Sequence, residues 1–233
     1  MEPGNPSAIH RNFYGRRYGK RLRRGQRKLL EEALEAVSLG RIGAGQASAI
    51  DTTTLFGDVP VWLEVGFGSG EHLLRLAGQH PDTGFIGCEP FMNGVASLLG
   101  KLEAKPQPNL RIYPGDVRDV LDVLADESIG RVFLLYPDPW PKMRHHRRRF
   151  VTGQFLTPLA KVMQPGAELR LATDISDYAR QAVEQISASP YFTWEPVSRR
   201  SWLFPWEGWQ STRYEKKALR DGRDPIYLTF IRG

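Results

Sequence analysis

The sequence predicts an α/β fold: a seven-stranded, mostly parallel sheet with helices on both faces and antiparallel pairing at one edge. Apolar strand-like runs alternate with helix-compatible segments from residue 61 onward, the pattern of a parallel sheet crossed by helices. The last two runs have no comparable helix between them, which predicts antiparallel pairing. A chain of 233 residues, 41% hydrophobic, suffices for one such core but leaves little room for two.

The chain starts with a basic arm. Residues 1 to 30 hold nine Lys/Arg against the single acid Glu2, so the segment carries +8 and the rest of the chain −2. An arm of this kind suits a polyanion, and Phe13, Tyr14 and Tyr18 among the arginines favour RNA, whose bases stack on planar groups. The alternative is a solvated tail. "GQRKLLEEALEAV" then has Leu29, Leu30, Leu34 and Val37 on one helical face, and the Gly, Ser and Thr of residues 40 to 58 form a connector. The expected organisation is an arm with an amphipathic helix over 1–40 and one domain over 41–233.

The expected parallel strands are 61–65, 84–89, 110–116, 131–137 and 168–174, and the antiparallel pair 192–197 and 226–232. Ligands of open α/β sheets bind beyond the carboxyl ends of the strands. Glu64, Glu89, Asp116, Asp138 and Asp174 all fall at or near such ends. One acid there would be an ordinary helix cap; five together favour a site.

"LEVGFGSGEH" supplies a glycine turn in which Gly66 and Gly68 let a ligand approach the backbone. Its spacing is GxGxG, whereas a dinucleotide fingerprint has GxGxxG. Glu64 would repel a pyrophosphate but suits the ammonium of an amino-acid moiety, which favours S-adenosylmethionine. Glu89, 25 residues further on, is placed for ribose hydroxyls, a feature shared with NAD-binding folds. Asp116 suits the adenine amino group or, equally, an N-cap over 117–124.

The strings "LEVGFGSGEH", "FIGCEPF", "YPGDVRDVL", "LLYPDPWPKMRHHRRR", "LATDISDYA" and "STRYEKKALRDG" together resemble the bacterial tRNA (guanine-N7-)-methyltransferases. This is a class I, S-adenosylmethionine-dependent family, and the resemblance covers residues 60 to 233. The PDPWPK string and the TRYE tetrad carry most of its specificity. It implies a Rossmann-like class I methyltransferase fold. It also implies a cofactor site of Glu64, Gly66, Gly68, Glu89, Asp116 and Asp138, with Asp138 catalytic. Lys142, Asp174, Thr212, Arg213, Tyr214 and Glu215 would meet the substrate, methyl transfer being to the variable-loop guanosine 46 of tRNA. Pro141 stands where some members have His, which leaves the acid and Lys142 untouched.

Guanine N7 has an in-plane lone pair, so the chemistry needs alignment and charge stabilisation more than a strong base. The prolines around Asp138 stiffen its turn. The cations Lys142, Arg144, Arg147, Arg148 and Arg149 are expected to contact phosphates. Trp140 either stacks on the extruded base or packs under the turn, whereas Phe204, Trp206 and Trp209 are expected to pack a loop. Asp174 has a second reading as a helix cap.

Two rivals differ in class. In a DNA amino-methyltransferase, PDPW would stand for the N/DPPY tetrad; Trp140, the cationic string and the lack of a target-recognition domain oppose that. An RNA-binding module with a vestigial pocket is opposed by retention of every acid. One cysteine, Cys88, and five unclustered His predict neither a disulfide nor a metal site. No run approaches the roughly eighteen apolar residues of a membrane span, and no signal peptide is visible, so the expected setting is cytoplasmic, as monomer or homodimer.

Overall fold

The computed structural model describes residues 15–40, 42 and 49–233. Residues 1–14 of the expected arm, with Phe13 and Tyr14, and most of the connector between 41 and 48 lie outside the described residues.

In chain order the elements are α1 (Arg24–Glu32), α2 (Leu34–Val37), α3 (Thr52–Phe56), β1 (Val61–Val65), α4 (Glu71–Gln79), β2 (Gly84–Cys88), α5 (Met92–Ala104), β3 (Leu110–Tyr113), α6 (Val117–Leu121) and β4 (Ile129–Leu135). A 3-10 turn (Met143–Arg148) leads into α7 (Gly153–Val162), β5 (Met163–Thr173), α8 (Ser176–Ser187), β6 (Phe192–Thr193), α9 (Arg200–Leu203), α10 (Arg213–Arg220) and β7 (Ile226–Arg232). The sheet order is β3-β2-β1-β4-β5-β7-β6. β1 to β5 pair in parallel, and β7 runs antiparallel between β5 and β6.

Strand alternation sends side chains to two cores. Leu63, Val65, Val132 and Leu134 pack with α7 and α8 on one face. Phe85, Leu110 and Phe133 pack with α4 and α5 on the other, where Leu29, Leu30, Leu34 and Val37 close the far side as the helical spacing predicts. In α8 the buried positions Tyr178, Ala179, Ala182 and Ile186 make one stripe.

Several boundaries differ from expectation. β3 stops at Tyr113, because Pro114 and Gly115 end its pairing and Asp116 starts a helix. β5 begins five residues early and pairs with β4 from Met163, with an irregularity near Gly130. β6 keeps only two residues of the expected six. No helix of the described residues is long and apolar enough to cross a membrane.

Candidate active site

Strand order reverses between β1 and β4, so the loops leaving these two strands open a crevice at the carboxyl edge of the sheet. The glycine loop forms one wall. Gly66 and Gly68 have φ of 72° and 57°, in the left-handed region that side chains disfavour, and the Gly68 N–H donates to Glu89 Oε2 at 2.7 Å. Glycine is needed at a third point that sequence reasoning missed. A Cβ on Gly94, in the first turn of α5, would collide with the Gly68 carbonyl oxygen, so helix and loop meet backbone to backbone.

The acids occupy different environments. Glu64 is buried, and its Oε2 lies 2.7 Å from His72 Nδ1. The His72 ring rests between Phe133 and Trp209, with centroids 5.1 and 5.2 Å away. His72 is a second residue missed from sequence; its place in the first turn of α4, facing β1, was the available signal. Glu89 is also buried and accepts from Gly68 N and, at 2.8 Å, Phe91 N. Burial pushes its carboxyl above the ordinary 4.5 against those two donors, and the charges of Asp138 and Glu64 add to the rise.

Asp116 caps α6, accepting from Arg118 N at 3.0 Å, and is gripped by the Arg118 guanidinium at 2.5 Å. Asp174 does not cap α8, whose N-cap is Ile175; it binds Arg223 Nε at 2.6 Å.

Beyond β4 the chain makes a constrained turn. Tyr136 and Trp140 bracket Pro137, Asp138 and Pro139, and both adopt left-handed φ, 51° and 42°. Such residues cost about 1–3 kcal/mol each and persist where their surroundings hold them. Asp138 itself is exposed. The half-buried Trp140 has Arg148 over its ring at 4.9 Å and His145 at its edge.

Arg149 corrects the expectation that the whole basic run faces phosphates. Its side chain is 1% exposed and bonded to Pro139 O at 2.8 Å, Gln181 Oε1 at 2.5 Å and Asp177 Oδ2 at 2.6 Å. Lys142, Arg144 and Arg147 are exposed.

The segment Gln210–Tyr214 covers the crevice. Glu64, Gly66, Tyr136, Thr212, Arg213 and Tyr214 line one cleft, whereas Glu89, Asp116, Asp138, Lys142 and Asp174 do not line it. Thr212 caps α10 through Glu215 N, and the Tyr214 ring lies beside Gly68. Glu215 is buried, accepting from the Tyr136 hydroxyl at 2.9 Å and Trp209 Nε1 at 2.8 Å. Trp206 Nε1 donates to Thr229 Oγ1, so Trp206 and Trp209 pack the loop as expected, while Phe204 is half exposed.

The described part of the arm docks beside this site. Asn93 accepts from Gly19 N at 2.8 Å and donates to Lys20 O at 2.7 Å, next to Gly94. Among the described residues, no group of three or more His, Cys, Asp or Glu is disposed to hold a metal ion.

The left-handed glycine turn and the two buried carboxylates beside it fit the amino-acid and ribose portions of S-adenosylmethionine: open backbone approach at Gly66, and carboxylates with acceptor capacity to spare, Glu64 beside the His72 ring and within the field of Arg75, Glu89 beside two backbone donors. Comparison with known proteins agrees with this chemistry. A family model described as "Putative methyltransferase" matches residues 58–228. The chain is 53% identical over 226 residues to a tRNA (guanine-N(7)-)-methyltransferase of Roseobacter denitrificans, covering 96% of this chain and 97% of that one. It is 52% identical over 236 residues to the protein of the same name in Paracoccus denitrificans, covering 100% and 99%.

Solved structures share the fold at low identity. The 16S rRNA methyltransferase KamB matches with a TM-score of 0.55 and 19% identity, over 80% of this chain and 95% of that one. TrmN from Thermus thermophilus matches with a TM-score of 0.52 and 14% identity, over 78% and 47%. With half the sequence shared along essentially the whole of both chains, this protein belongs to the tRNA (guanine-N(7)-)-methyltransferase family.

Proposed function

We propose that the chain transfers the methyl group of S-adenosylmethionine to N7 of guanosine 46 in the variable loop of tRNA. The observation that carries this reading is the facing of two loops across the switch point. One offers bare backbone and the buried acids Glu64 and Glu89; the other offers exposed Asp138 beside the exposed cations Lys142, Arg144 and Arg147.

The cofactor supplies an electrophilic methyl group on a sulfonium. Glu64, oriented by His72, holds the ammonium of its amino-acid portion, and Glu89 uses lone pairs left over from its two backbone donors for the ribose hydroxyls. Asp116 faces the adenine amino group from beside its Arg118 partner. The nucleophile keeps its proton count, because N7 attacks through an in-plane lone pair. Asp138 accepts hydrogen bonds from guanine N1–H and the exocyclic amine, holding the ring for in-line approach and offsetting the positive charge it gains. Lys142, Arg144 and Arg147 reach the phosphates, and Asp174 with the Thr212–Glu215 segment borders the nucleotide. Residues 1–40 act as an arm added to the methyltransferase domain of residues 41–233, gripping the same RNA. This function carries with it a cytoplasmic setting, as monomer or homodimer.

Labelled S-adenosylmethionine and an unmodified tRNA transcript test the reading, followed by cleavage specific for N7-methylguanine. Cleavage at guanosine 46 is expected, and label elsewhere refutes the position. Asp138→Asn should lower turnover by about 100-fold while cofactor affinity changes by less than about threefold, as for a group acting mainly in the transition state; equal losses of both would reject its role.

A further inference from the structure

Glu215 belongs to the TRYE segment that borders the nucleotide, yet its surroundings are those of an internal anchor. The residue is 4% exposed, and one oxygen, Oε2, accepts from both the Tyr136 hydroxyl and Trp209 Nε1. Burial and then the charge of Glu215 push the Tyr227 phenol up, so a third aromatic side chain lies within the field of the same carboxylate. Burial, and then the charge of Glu215, pushes the Tyr136 phenol far above its ordinary value, so it remains a donor at every working pH.

Tyr136 is the residue that needs holding. It sits at φ 51°, two residues before Asp138, with its N–H donated to Ala172 O at 2.7 Å. The main-chain bond fixes the end of β4, and the phenol bond, which joins residues 79 apart in sequence, fixes the side chain. A carboxylate committed to these donors would have to abandon them to reach a base, leaving buried hydroxyl and indole groups without partners.

We propose that Glu215 is a positioning residue, which holds Tyr136 in its left-handed conformation and thereby sets the turn that presents Asp138, and that it does not touch the guanosine. The proposal rests on the reading that Asp138 orients the guanine. It separates Glu215 from Thr212, Arg213 and Tyr214, which line the open cleft.

A double-mutant cycle on the full chain with Tyr136→Phe and Glu215→Gln tests it, with melting temperatures measured so that assays run well below the lowest. Tyr136→Phe removes a single oxygen and keeps the ring, so it remains usable even if Glu215→Gln folds poorly. Each single variant should lose about tenfold in kcat, the double variant should lose no more than about twofold beyond the worse single, and KM for tRNA should stay within about threefold of the parent. Trp209→Phe, which removes the second donor, should also lower kcat with little change in KM. Multiplying losses in the cycle, or a tRNA KM raised by Glu215→Gln but not by Tyr136→Phe, would show that Glu215 meets the nucleotide directly. So would full activity in Tyr136→Phe beside an inactive Glu215→Gln. The parent chain is assayed alongside: failure to form N7-methylguanosine rejects the function itself, whereas formation of it with multiplying losses rejects only the role of Glu215.

Discussion

Arg149→Ala separates the two things a basic run can do. The Arg149 side chain is 1% exposed, and its Nε and one terminal nitrogen donate to the neutral acceptors Pro139 O and Gln181 Oε1. Bonds from a charged donor contribute about 1.5–3 kcal/mol each, so two give about 3–6 kcal/mol before relaxation. Water entering the vacated space would satisfy Pro139 O in part, which brings the expected loss to about 3 kcal/mol. Nothing is assigned to Asp177, whose carboxylate is open to solvent and keeps Arg180 at 2.6 Å. In a chain of 233 residues each kcal/mol lowers Tm by about 2–4 °C, so Tm should fall by about 6–12 °C.

Turnover should fall as well, because the carbonyl that Arg149 grips belongs to the residue after Asp138. A misplacement of about 1 Å at such a group costs about 100-fold. Arg149→Lys should recover part of Tm and little turnover, since an ammonium cannot reproduce the fork that meets three acceptors. Thermal melts without ligand, initial rates at saturating cofactor, and tRNA affinity against salt make up the assay. An unchanged Tm together with weakened, less salt-dependent tRNA binding would refute the internal role and return Arg149 to the phosphates.

Arg147→Ala, at an exposed position of the same run, should leave Tm within about 1 °C and flatten the salt dependence of tRNA binding by about one phosphate contact; an unaltered slope on titration with salt would contradict it. Gly94→Ala should abolish measurable cofactor binding or weaken it by more than about tenfold, since the new Cβ displaces the Gly68 carbonyl; calorimetric titration with S-adenosylmethionine reads it. Bonds from Arg149 and Arg180 hold the Asp177 carboxyl down from its ordinary 3.8 to about 2. Between those values the unfolded chain binds more protons than the folded one, so this contribution is complete above pH 4 and fades as pH falls toward 2. Melts of Asp177→Asn across that window should show a shallower acid limb than the parent, and parallel limbs would count against the assignment.

The strand rhythm was readable because alternation at period two survives in any single sequence: β1 and β7 fall at the expected residues, and Glu89, Asp138 and Asp174 follow the ends of β2, β4 and β5. The boundaries that moved did so for tertiary reasons. β5 extends back to Met163 because β4 offers it a partner at Ile129, a pairing that no local propensity encodes. Burial of Arg149 is equally invisible locally. Its neighbours in sequence are cations on an exposed turn, and only the approach of α8, with Asp177 and Gln181 one helical turn apart, converts it into an internal tie. Glu64 and Glu89 were legible as candidate site acids from their place at strand ends, and both are buried. The partners that orient them, His72 and the Phe91 amide, come from helix packing and from the turn into α5.

The proposed reaction gives a reason for a turn at Asp138 that is clamped from several directions. A nucleophile that needs no deprotonation leaves alignment and charge placement as the main work of the protein, and in the role proposed for Asp138 both depend on where that exposed carboxylate sits. That carboxylate is carried between two left-handed residues, each of which would relax if released. Tyr136 is tied to Glu215 at the start of α10, Pro139 to Arg149 against α8, and Trp140 to Arg148. The ties originate in separate parts of the chain, so loss of any one leaves the others in place and should yield a folded enzyme with a misplaced acid. Variants along residues 136 to 149 should therefore fall into two groups, those that lower kcat with tRNA affinity kept and those that lower affinity with kcat kept. Arg147 and Arg149, two residues apart, belong to opposite groups because one side chain points to solvent and the other beneath Pro139.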